Sequence, residues 1–197
     1  MVINKIFSSF ITTEQLNLNN DVLAGYCKDK IYSSKQYIET NQTQSDEFDL
    51  DYDKLKPIHP LLDIIQERVN YLHKELGFSE HYEHKLCRMW ANHNNSSATK
   101  QPHPHTDCTI TGIYYVKSEE DTGDTVFMNP IAALPYVMKR EAIEQYTDFT
   151  SGEINIQPKE GLLIFFPAWL MHYVLDNKTD KDRITIAFNF DIYKKTI

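Results

Sequence analysis

The chain has 197 residues, 41% hydrophobic and 24% charged, with 28 Asp and Glu against 20 Lys and Arg for a formal net charge of −8. That length supports one domain with a substantial core and is short for two, and the composition is that of a soluble globular protein. The acidic balance argues against nucleic acid as the main partner, because phosphate binding needs clustered cations. No apolar run approaches the ~20 residues of a membrane span, so no membrane partner is expected. The opening segment Met1 to Phe7 carries one lysine and no sustained apolar stretch, unlike a signal peptide. Cys27, Cys87 and Cys108 are odd in number and lack Cys-x-x-Cys spacing. A disulfide framework is therefore not expected, and the reducing cytoplasm is the expected location.

In chain order, residues 13–30 are expected to form a first helix, with Thr13 as N-cap and Glu14 in the first turn. Residues 40–55 are polar and acidic and read as a solvated loop. Residues 60–76 form the clearest helix: Leu62, Ile65, Val69, Leu72 and Leu76 recur at three- and four-residue spacing. Pro60 suits its first turn and Gly77 its end.

Beyond Gly77 the pattern changes to short strands. Leu86 to Asn92 alternates, placing Leu86, Arg88, Trp90 and Asn92 on one face. Ile110 to Val116 is rich in β-branched and aromatic residues; Asp121 to Asp124 reads as a turn and Thr125 to Met128 as a strand. Residues 137–147 are expected to be a helical insertion. Ile154 to Gln157, Pro158 to Gly161 and Leu162 to Phe166 read as strand, turn, strand. At the end, Arg183, Thr185, Ala187 and Asn189 share one face, and Ile184, Ile186, Phe188 and Phe190 the other. Helices followed by many short strands imply an α+β, mainly β, sandwich or barrel with helices packed outside.

The chemistry concentrates in Gln101-Pro-His103-Pro-His105-Thr-Asp107. If this run is extended, His103, His105 and Asp107 face one side. Two imidazoles and a carboxylate suit a first-row transition metal, and such a set on iron(II) leaves positions open for a chelating oxo-acid and O₂. A further histidine, His172, closes Gly161-Leu-Leu-Ile-Phe-Phe-Pro-Ala-Trp-Leu-Met-His172, and Arg183 follows it. Inside a barrel, an arginine needs an anion, and its planar fork suits a carboxylate; Arg183 with Thr185 is a candidate clamp. The alternative puts Arg183 at an exposed strand start, after the charged stretch Lys178 to Asp182.

These segments resemble the iron(II)- and 2-oxoglutarate-dependent oxygenase superfamily. The resemblance is carried by His103-x-His105 to Thr111-Gly-Ile-Tyr-Tyr-Val116, by Pro158-x-x-Gly161-Leu-Leu-Ile-Phe-Phe-Pro167-Ala-Trp-Leu-x-His172, and by Arg183-Ile-Thr-Ile-Ala-Phe-Asn189. The chain is most similar to a small group of such oxygenases from marine bacteria and their phages, over roughly residues 85–190. The resemblance implies a double-stranded β-helix, or jelly roll, spanning 85–192 within one domain of residues 1–197, with residues 1–80 a mostly helical lead-in. It implies Fe(II) as metal and 2-oxoglutarate as cosubstrate. His105 and Asp107 would supply the proximal His-x-Asp ligands and His172 the distal one, making these three the catalytic residues. His103 is an alternative proximal ligand, since the group shares His-x-His. Arg183 would bind the far carboxylate of 2-oxoglutarate, assisted by Thr185. A hydroxyl of Tyr115 or Tyr114 would reach the cosubstrate, and Asn92 would line the cavity. The implied reaction is hydroxylation of an unactivated C–H bond of a small metabolite or a peptidyl residue, prolyl hydroxylase-like, with release of succinate and CO₂. A cupin-like metalloenzyme that does not use 2-oxoglutarate, and a non-catalytic β-sandwich, are the rival readings.

Overall fold

The computed structural model describes residues 2, 8–35, 42–131 and 139–196. Its organising element is the last strand, β10 (Arg183–Lys194), antiparallel to β3 (Tyr82–Asn94) on one side and β5 (Ile110–Lys117) on the other. Strand alternation sends Ile184, Ile186, Phe188 and Phe190 into one core, and Arg183, Thr185, Ala187 and Asn189 towards a cavity. A bulge between Asn189 and Phe190 shifts the register against β3 below that point.

Around this strand, β1 (Thr12–Gln15), β8 (Leu162–Pro167), β5, β10, β3 and β2 (Gln42–Gln44) form a six-stranded sheet in that order. β4 (Lys100–His103), β9 (His172–Val174), β6 (Thr125–Met128) and β7 (Glu153–Ile156) form a four-stranded sheet. The two antiparallel sheets make the jelly roll, a double-stranded β-helix. On the outer face of the larger sheet lie α1 (Asn20–Tyr32) and α2 (His59–Glu75), whose Leu23, Cys27, Ile31, Leu61, Ile65 and Val69 pack on Met89, Tyr114, Ile186 and Phe188. A smaller core between the sheets joins Ile113, Tyr115, Phe127, Ile164, Phe166 and Leu170. Helices outside and a polar cavity inside thus follow from which residues of β3, β5 and β10 are odd or even in register.

Local sequence explains the helix ends. α2 starts with Pro60 in its first turn, where no backbone donor is lost. It stops in a Schellman turn: Gly77 has φ of 74° and donates to the Lys74 carbonyl, while Phe78 donates to that of His73. Leu76, expected on the apolar stripe, caps the helix and is exposed.

Three expectations need correction. Residues 13–30 are not one helix: Thr12–Gln15 is an edge strand on β8, and the helix begins after Asn19, whose side chain accepts from the Val22 amide at 3.3 Å. The strand wins because pairing with β8 half-buries one side of it, and Glu14 forms a paired contact with Arg68 of α2 at 2.7 and 2.8 Å. The stretch 40–55 is not simply solvated. β2 extends the sheet along β3, Phe48 and Leu55 are buried, and Tyr52–Ile58 is a 3₁₀ helix; residues 40–41 lie outside the described residues. Of the helical insertion expected over 137–147, residues 137–138 also lie outside, and the rest contains only a 3₁₀ turn at Arg140–Ala142. No helix among the described residues is long and apolar enough to cross a membrane.

Candidate metal centre and adjoining cavity

Three histidines converge between the sheets: His103 at the end of β4, His105 just beyond it and His172 at the start of β9 each offer a ring nitrogen, all within 4.8 Å of one another. Backbone pairing sets this up. His103 sits opposite His172 in the β4–β9 ladder, and the His105 amide donates to the Ala168 carbonyl at 2.8 Å. Nδ1 of His172 lies 2.9 Å from the Leu170 carbonyl, and Nδ1 of His103 lies 2.7 Å from that of Gln101. A carbonyl can only accept, so each of these Nδ1 atoms carries the proton and each Nε2 keeps its lone pair for a cation. Burial depresses all three imidazoles, His105 to about 3 and His172 to about 4, so the rings are neutral near pH 7. The nearby charges of Arg88 and Lys100 also act in that direction on His105. Three neutral imidazoles turned inward form a donor set that fits a divalent first-row metal.

Asp107, expected as the carboxylate ligand, is not in this cluster. The expectation assumed an extended chain through residue 107. Instead β4 ends at His103, and Asp107 adopts φ of 58°, a left-handed turn that leaves its side chain in solvent. His103 lies in the cluster instead.

Arg183 is buried at 3% exposure. Its Nη2 donates to Thr125 Oγ1 at 3.1 Å, its guanidinium lies 5.1 Å from the Tyr115 ring centre, and its Nε is buried with no hydrogen-bond partner. Burial pulls its pKa down, opposed by the Tyr115 hydroxyl and Asp124. A buried guanidinium with an unused donor is costly, and the cavity wall it belongs to is where an anion would satisfy it. Tyr115 is fully buried behind it, its hydroxyl 2.7 Å from Thr125 Oγ1; Tyr114 points the other way and donates to Asn20 of α1 at 2.7 Å. Thr185 accepts from Asn92 at 3.5 Å, and both line the cavity.

The cavity holds about 300 Å³, at the small end for ligand sites. Register orders its inner wall in rows across β3, β10 and β5. Asn94 faces Arg183; Asn92, Thr185 and Tyr115 come next; then Trp90, Ala187 and Ile113; finally Arg88, Asn189 and Thr111. His105 stacks on Trp90 of the third row with ring centres 5.7 Å apart, and both His105 and His172 pack on Phe166, which pairs with Thr111 of the fourth row, so the histidine cluster stands over the third and fourth rows. Thr125, Asn94 and the β2 loop residues Gln44 and Glu47 also belong to the site or its support. Sequence reading does not find them: Thr125 has no signal beyond its strand, and the polar, acidic composition of the loop reads as solvated.

The sequence matches the profile of the family described as "Putative 2OG-Fe(II) oxygenase" over residues 88–189, more than half of the chain. No curated protein matches it. Among solved structures, the epimerase SnoN, in complex with Fe3+, alpha ketoglutarate and nogalamycin RO, is similar with a TM-score of 0.61 and 14% identity, covering 94% of this chain and 81% of SnoN. A Pseudomonas putida prolyl-4-hydroxylase gives 0.58 and 14%, covering 94% and 93%. An oxidoreductase of the 2OG-Fe(II) oxygenase family from Burkholderia pseudomallei gives 0.54 and 12%; it matches 76% of this chain, which spans 66% of that protein. At such identities the structural likeness speaks for the fold, and the profile for the family. Sequence profile, jelly roll and metal-ready histidine cluster agree, and the chain belongs to the 2OG-Fe(II) oxygenases.

Proposed function

We propose that this protein is an Fe(II)- and 2-oxoglutarate-dependent dioxygenase that hydroxylates an unactivated C–H bond of a small metabolite or a peptidyl residue, releasing succinate and CO₂. The observation that carries the reading is the opening of one cavity onto both a three-histidine cluster and a buried arginine with an unused donor. His103, His105 and His172 are the residues assigned to the metal, and Arg183 to the distal carboxylate of 2-oxoglutarate. Bound iron would supply the redox chemistry that couples oxidative decarboxylation of the oxo-acid to oxidation of substrate by O₂.

The chain's own contribution is positioning. Carbonyls of Gln101 and Leu170 hold two imidazoles in the tautomer that turns Nε2 inward. Thr125 and Tyr115 hold Arg183 from behind, so its remaining donor is oriented before an anion arrives. Thr185 and Asn92 add a polar edge beside it, while Trp90, Ile113 and Ala187 give the reaction zone an apolar floor. Residues 1–80 and the strand core are read as parts of one catalytic domain.

The deciding experiment is an anaerobic titration of the metal-free protein with Fe(II) and 2-oxoglutarate, watching for a visible metal-to-ligand charge-transfer band. A saturable band requiring both components supports the reading. Iron binding without the band would leave a metalloprotein that does not use this cosubstrate, and no iron binding would remove the catalytic role of the histidines.

A further inference from the structure

We propose that the substrate oxidised at this site carries a carboxylate, held by Arg88 at the end of the cavity opposite Arg183. This rests on the oxygenase reading above and narrows its substrate class.

The charge distribution of the cavity comes first. The chain as a whole is acidic, at −8, yet the charged side chains among the described residues lining this cavity are Arg183, Arg88, Lys100 and Glu47. Arg183 is assigned to the cosubstrate. Glu47 pairs with Arg88 at the far end, while Lys100 stands beside Val174, which pairs with Thr125, and so lies towards Arg183; the cation left at the far end to receive a substrate carboxylate is Arg88.

Arg88 is free to accept such a group. Its contact with Glu47 is 3.6 Å between side chains 44% and 59% exposed, an ion pair of little strength that an incoming anion can displace. Its planar fork matches a carboxylate in two parallel hydrogen bonds.

Position adds direction. Arg183 and Arg88 fall in the first and last inner rows of the wall, about 20 Å apart along β10 at ~3.3 Å per residue, with the histidine cluster over the third and fourth rows. One inward step of about 7 Å separates the Arg88 row from the apolar row of Trp90, Ala187 and Ile113. A short carbon chain anchored at Arg88 would therefore lie along that apolar row, beneath the histidine cluster. Asn189, whose Oδ1 accepts from Thr111 at 3.1 Å, stands beside Arg88 and is held in place to contact the same group.

The test uses the iron- and 2-oxoglutarate-loaded enzyme and measures succinate release. The probes are short aliphatic carboxylic and amino acids, each beside its primary amide, the same acids borne on short peptides, and matched phosphate esters. Acids should stimulate turnover at concentrations at least about tenfold below those of their amides. Arg88→Gln should raise the half-saturating acid concentration about 10- to 100-fold and erase the acid–amide difference, and Arg88→Lys should restore part of it. Stimulation by free acids alone assigns a small metabolite; stimulation by peptide-borne acids assigns a peptidyl substrate; both support the carboxylate. A panel in which no acid outperforms its amide, or in which phosphate esters are preferred, overturns the proposal. The charge-transfer band, recorded on every sample, separates the two failures: its absence from the wild type overturns the oxygenase reading, whereas its presence without acid preference overturns this inference alone.

Discussion

Arg183 and Asn94 face each other across β10 and β3, and each carries a buried polar atom with no partner, Nε of the arginine and Oδ1 of the asparagine. Two unsatisfied groups side by side in a folded interior would cost a few kcal/mol together, and such sites persist where a ligand completes them. The pair marks one end of the cavity as built for a polar guest that both donates to its surroundings and accepts from them, directly or through water.

Arg183→Gln removes the charge and the guanidinium fork while leaving a polar amide. The half-saturating 2-oxoglutarate concentration in the charge-transfer titration should rise at least about tenfold, the size of a lost charge-assisted hydrogen bond. Iron content should be retained, because the arginine is not part of the histidine cluster. A cosubstrate affinity within twofold of wild type would remove Arg183 from the clamp.

The candidate metal ligands separate cleanly by mutation. His103→Ala and His172→Ala should each abolish stoichiometric iron and turnover, since either leaves two donors. Asp107→Asn should keep both: asparagine tolerates the left-handed backbone at this turn, and the exposed carboxylate is apart from the cluster. Loss of iron in the Asp107 variant with retention in the His103 variant would restore the two-histidine, one-carboxylate set.

Proton competition has a definite sign here. Imidazoles ordinarily titrate near 6.5, but burial takes His105 to about 3 and His172 to about 4. A metal arriving at pH 6 then displaces no proton from these rings, so Co(II) affinity measured by calorimetry should be nearly flat from about pH 8 to 6 and fall towards pH 4. Stability of the metal-free protein follows the same window. It is complete above the unfolded value of 6.5 and is lost as pH falls towards the folded values, because the unfolded chain takes up protons that the buried rings refuse. A midpoint of metal release near 6.5 would contradict the burial argument.

Gly112 lies directly beneath the Phe188 ring, and a methyl group there would also come within 2.8 Å of the Ile164 carbonyl. Gly112→Ala should cost about 1–3 kcal/mol of stability by overpacking, read as a lower denaturation midpoint. Adding Phe188→Leu should recover part of the loss, because the two positions are coupled. An unchanged midpoint in the single variant would show that the sheet relaxes around the methyl group.

The legible parts of the chain were those whose signal repeats locally. The stripe Leu62, Ile65, Val69 and Leu72 revealed α2, and the alternation from Arg183 to Phe190 separated a polar cavity face from an apolar core face. Arg88, Trp90 and Asn92 were placed on one face in the same way and do line the cavity. Less legible was β1, where a capping-like Thr13 and Glu14 resembled a helix start. The strand there is decided by pairing with β8, residues far away in sequence.

The amino-acid sequence by itself determined a mainly β sandwich or barrel and the two faces of β10, because periodicity is carried by neighbouring residues; the jelly-roll class and the candidacy of His105, His172 and Arg183 came from motifs that resemble the oxygenase superfamily. Tertiary structure alone decided which side chains meet. It turned the chain at Asp107 and sent that carboxylate to solvent, brought His103 opposite His172 through the β4–β9 ladder, set Thr125 and Tyr115 behind Arg183, and folded the β2 loop to the cavity mouth. Each of these depends on backbone pairing between distant segments or on a single left-handed residue, and neither leaves a periodic trace in the residues themselves.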